Sequence, residues 1–123
     1  MKKKMMIVSA LSLATLALGG WGFAQDDKAS KDITGEIVDM NCYMDHAAHG
    51  EGHKACGIAC AKAGNPIGIV TADGKVYLLL ASDKHEPKST NDKLIEKMSE
   101  TVTVTGKVNK RGGLEAVTVE SIK

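Results

Sequence analysis

Residues 32–40 alternate, with Ile33, Gly35 and Ile37 on one face and Thr34 and Glu36 on the other, the two-residue period of a half-buried strand. Residues 66–71 and 76–81 are apolar and β-branched runs. The tetrapeptide Ala72-Asp73-Gly74-Lys75 joins them, and its Asp-Gly pair supplies the positive-φ positions of a tight hairpin. In 91–99, Leu94, Ile95 and Met98 recur at helical spacing, with Ser89, Thr90 or Asn91 as N-cap. Val102, Val104, Gly106 and Val108 then alternate with Thr101, Thr103, Thr105 and Lys107, and Arg111-Gly112-Gly113 turns this strand into a last one over 114–122.

The order strand, strand, strand, helix, strand, strand predicts a mainly β domain, a small five-stranded OB-like barrel with its helix between strands three and four. An open antiparallel sheet or a small sandwich has the same element order. Gly35 and Gly106 inside strands fit the sharp bends of the closed form. Residues 40–65 are too long for a hairpin loop, and within them 51–63 reads as a helix, rich in alanine and stopped by Gly64-Asn65-Pro66. One domain over 32–123 therefore carries a helical insertion between strands one and two.

The first residues read differently. Lys2, Lys3 and Lys4 precede an uncharged apolar and small-residue run over 7–20, and Gly22-Phe23-Ala24 has small residues where a signal peptidase reads them. The pattern predicts a signal peptide over 1–24 cleaved before Gln25, a linker over 25–31, and a periplasmic or secreted product. A run of about 14 residues is short for a span of about 20, so no membrane attachment is expected after cleavage. Loss of the three leader lysines turns the charge acidic, against 15 acidic residues, and loss of Trp21 and Phe23 leaves Tyr43 and Tyr77 as the aromatics. Nucleic-acid binding needs basic grooves and stacking aromatics, and this chain offers almost neither. The partner class left open is a protein or a small ligand.

The densest chemistry lies in the insertion. Cys42, His46, His49, His53, Cys56 and Cys60 occupy CYMDHAAHGEGHKACGIAC. Three cysteines in an exported chain cannot all pair within it. His53, Cys56 and Cys60 fall within an arc of roughly 60° on a helix, and Cys42 at the end of strand one supplies a fourth ligand, giving a Cys3His set that suits zinc. Copper, with Met40 and Met44 as thioether donors, and an iron–sulfur cluster are the less favoured occupants. Two other readings stand beside ligation: a Cys42–Cys56 or Cys42–Cys60 disulfide with one thiol spare, and a redox-active thiol. A thiol redox or copper-handling protein is thus the alternative to an exported zinc domain with a structural or binding role. Cys-x2-Cys-His is absent, against covalent haem. His46 and His49 read as solvated loop histidines outside the quartet, and no catalytic constellation is visible.

The strings TGEIVDMNCY and GHKACGIACAKAGNPIGIVTADGKVYLLL carry a Cys-Tyr, a His-x2-Cys-x3-Cys, a Gly-x-Pro-x-Gly and a Gly-Lys-x-Tyr. Over residues 34–80 the chain resembles a family of small exported bacterial proteins that share these four elements, a family of uncharacterised function. The resemblance implies export and singles out Cys42, His53, Cys56, Cys60, Gly64, Pro66 and Tyr77; it implies no reaction.

Overall fold

Extended, β-branched segments and two glycine-centred bends close a five-stranded barrel. The computed structural model describes residues 29–123, so the predicted leader and most of the predicted linker lie outside the described residues. The strands are β1 (Ser30–Asp39), β2 (Ile67–Val70), β3 (Val76–Ala81), β4 (Thr101–Arg111) and β5 (Leu114–Ile122), ordered β1-β2-β3-β5-β4 around the barrel. All pairings are antiparallel except β3 with β5, which is parallel. This is the OB-like architecture expected from the element order.

β1 does the closing. Its first part, from Ser30 to Glu36, pairs with β4, and its second, from Glu36 to Asp39, pairs with β2. The strand changes partner at Glu36, and at the adjacent Gly35 an added Cβ would stand 2.4 Å from the Val70 carbonyl oxygen, so no larger residue fits this bend. Gly106 plays the same part on β4: the register shifts between Thr105 and Gly106, and a Cβ there would lie 2.2 Å from the Thr118 carbonyl oxygen. β4 turns into β5 through Gly112 and Gly113, both at positive φ, as a two-residue hairpin requires.

The interior is filled by Ile37, Ile69, Val104 and Val117, each essentially inaccessible. Helix α3 (Pro87–Glu96) supplies Leu94 and Ile95 to the same core, and Met98 follows it. α3 begins four residues before the sequence pattern predicts and ends three before. Pro87, at the helix start, has the backbone angle a first turn wants and no N–H to leave unpaired. At the other end, Met98 bridges Ile37, and the Ser99 N–H donates to the Ile37 carbonyl, drawing the chain out of the helix toward β1. β1 also starts two residues earlier than expected, because Ser30 and Lys31 pair with Lys107 and Gly106.

The insertion between β1 and β2 contains two helices, where the pattern gives one. α1 (Met40–His46) continues directly from β1; a 3₁₀ turn (Glu51–His53) leads into α2 (Lys54–Lys62). The mouth of the insertion is tied by the Met40 N–H donating to the Pro66 carbonyl at 2.9 Å. Met40 packs its sulfur where a Cβ of Gly68 on β2 would be, and Gly57 of α2 lets the Met98 side chain approach, a Cβ there lying 3.0 Å from it. Both helices are therefore seated on the barrel by apolar contacts at glycines.

Candidate metal centre

Asp39 is the last residue of β1 and the N-cap of α1. Its Oδ2 accepts from the Cys42 N–H at 2.9 Å, satisfying one of the orphan donors of a helix start. This bond fixes Cys42 in the first turn of α1, half-buried beside the carboxylate. The other end of α1 is closed by Ala47 in the left-handed region, whose N–H donates to the Tyr43 carbonyl at 2.8 Å. α2 approaches from the opposite side, carrying Cys56 in its first turn and Cys60 in its last, with His53 immediately before it. Cys56 is exposed, while Cys60 and His53 are half-buried.

All three cysteines are free, and the Cys42 and Cys60 sulfurs stand 4.0 Å apart. Two thiolates on one tetrahedral zinc, with Zn–S near 2.3 Å, are separated by roughly 3.8 Å, so these sulfurs are within a fraction of an ångström of shared ligation. The residues nevertheless gather as two triads. One ligand atom each from Cys42, His53 and Cys56 lies within 4.8 Å of the other two, and the same holds for Asp39, Cys42 and Cys60. Cys42 belongs to both. The four residues singled out by spacing are thus divided between two groups that meet at one sulfur, and Asp39 joins them.

Electrostatics make this a place for a cation. Asp39 is fully buried, and its Oδ1 has no hydrogen-bond partner; the buried Nε2 of His53 has none either. Each such orphan costs about 1–3 kcal/mol unless something satisfies it. The Asp39 carboxylate, helped by burial and by the Cys60 thiol, pushes the Cys42 thiol up to about 12, and burial raises Cys60 too. A thiol held protonated by a neighbouring negative charge becomes a thiolate ligand when a cation neutralises that charge. These Cys, His and Asp groups are close enough to hold a metal ion.

His46 and His49 lie apart from both triads. His46 is exposed in the last turn of α1, and His49 places Nδ1 3.3 Å from Glu36 Oε2 and its ring edge-on to Tyr43. Glu36 also accepts from the Gly50 N–H, so the pair pins the loop between α1 and the 3₁₀ turn to β1. It borders a cleft of about 270 Å³ with Thr34, Val70 and Thr101 on its walls.

Asp39 is the member that sequence reasoning passed over, because it reads as the end of a strand. Its signal was an Asp directly before Met40-Asn41-Cys42, the N-cap position of a helix whose first turn holds a cysteine. Comparison with protein-family models, with curated proteins and with solved structures gave no match to this chain.

Proposed function

We propose that this protein is an exported zinc-binding domain in which the barrel is a scaffold and the β1–β2 insertion holds the ion, with ligands drawn from Cys42, His53, Cys56 and Cys60. The observation that carries the reading is the pair of buried, unpartnered atoms, Asp39 Oδ1 and His53 Nε2, set among three free thiols. Neither apolar packing nor internal hydrogen bonding accounts for them, whereas a borderline-soft divalent cation such as zinc takes nitrogen, sulfur and carboxylate oxygen donors alike. Zinc suits mixed thiolate and imidazole donors and needs no cluster assembly. Export rests on the basic and apolar leader pattern and on the resemblance to exported proteins, and it places the product in the periplasm or outside the cell.

A copper-handling role draws less support. Met40, one of its two candidate thioethers, is committed to packing over Gly68, and Met44 is 69% exposed.

Elemental analysis of the purified mature protein together with a thiol count tests the proposal. At least one zinc per chain is expected, with thiols that react with an aromatic disulfide reagent only after chelation. Metal-free protein with one disulfide and one reactive thiol would overturn it in favour of thiol redox chemistry.

A further inference from the structure

Going beyond the zinc reading, on which it rests, we infer that the centre holds two divalent cations, with Asp39 as a ligand and the Cys42 thiolate shared between them. One position is formed by Cys42, His53 and Cys56, the other by Asp39, Cys42 and Cys60.

Three observations converge on this arrangement. The first is the pairing itself: each triad has its ligand atoms within 4.8 Å of one another, and the two have a single atom in common, the sulfur of Cys42. The second is the geometry of α2. Seven residues separate His53 from Cys60, a rise of about 10 Å along a helix, so the two lie on one face but at different heights. Cys42, entering from α1, is near both of them, 4.0 Å from the Cys60 sulfur and in the triad of His53. The third is charge. With metal bound, the cluster brings three thiolates and one carboxylate, and one divalent cation leaves two negative charges uncompensated beside a fully buried Asp39. Lys54, the nearest lysine along α2, is already engaged by Glu100 at 3.3 Å and Glu51 at 3.9 Å. Two divalent cations neutralise the set.

The unpartnered Oδ1 of Asp39 fits the same account. Oδ2 is occupied by the α1 cap, which leaves the other oxygen, buried and unpaired, to coordinate an ion. Each position then has three protein donors, one fewer than the four of a closed structural zinc site, which is the donor count of an open site.

Native mass spectrometry of the mature protein titrated with zinc counts the ions directly. Two per chain are expected for the wild type, falling to one in Asp39→Ala and in Asp39→Asn. The asparagine variant retains an N-cap for α1, so its loss of an ion reports ligation and not unfolding. Saturation of the wild type at one ion, or two ions retained in Asp39→Asn, would overturn the inference and leave the zinc reading standing. No zinc bound at all would overturn both.

Discussion

Cys42 is the residue on which the centre turns, since it belongs to both triads, is positioned by Asp39 and faces Cys60. Removing its sulfur should therefore cost more than removing either of the α2 sulfurs. Cys42→Ser is expected to weaken zinc binding more than about 100-fold, beyond what loss of a supporting contact gives, whereas Cys56→Ser and Cys60→Ser each leave one triad intact. Competition with a chromophoric chelator measures the three variants side by side; equal losses would contradict the shared role. His46→Ala and His49→Ala should leave zinc affinity unchanged in the same assay. The raised Cys42 thiol has a second consequence, for the metal-free protein. Its folded value of about 12 lies above the ordinary 9.0, so the native state holds this proton more tightly than the unfolded chain. The resulting stability is complete below about pH 9 and declines as pH climbs toward 12. Urea unfolding of chelator-treated protein at several alkaline pH values should show that decline, and Asp39→Asn should reduce it, because the Asp39 interaction is the largest cause of the shift. A profile in the variant as steep as the wild type's would assign the decline elsewhere.

Among the elements, the two strand glycines and the two insertion helices carry different kinds of information. Gly35 and Gly106 sit where a Cβ would strike backbone oxygens at 2.4 Å and 2.2 Å, so backbone and not a flexible side chain must give way. Gly35→Ala and Gly106→Ala should each destabilise the domain by about 1–3 kcal/mol or more. Gly52, in the 3₁₀ turn with nothing near its Cβ position, is the control: Gly52→Ala should be neutral or mildly stabilising in thermal melts. The strands were legible because alternation and Asp-Gly or Gly-Gly turns are local signals. α1 was not, because its N-cap Asp39 also continues an alternating strand, and a helix of seven residues is too short for its period to stand out. α3 was displaced because Ser89 and Thr90 resemble caps, while the start was set by Pro87. The division of the site was illegible for a related reason. A helical wheel records angle and discards height, so His53, Cys56 and Cys60 share an arc although about 10 Å of rise separates the outer two. Asp39, distant from α2 along the chain, enters only through the path of β1 and α1.

For the molecule as a whole, a closed barrel with its own apolar core supports an insertion held by few apolar anchors, Met40 against Gly68 and Gly57 with Ala61 toward Met98 and the core. A domain of this size is marginal, and a bound ion adds stability in proportion to its affinity. Chelation should lower the melting temperature and, in hydrogen exchange, deprotect α1 and α2 well before β1, β4 and β5. Uniform deprotection would instead make the metal integral to the barrel. The central claim is that thiolate and imidazole groups of the insertion bind zinc, and X-ray absorption at the zinc edge of the purified protein addresses it without mutation. The account predicts a first shell dominated by sulfur at about 2.3 Å with nitrogen or oxygen donors near 2.0–2.1 Å. A zinc shell made of nitrogen and oxygen alone, or protein that carries no zinc after supplementation, would contradict it.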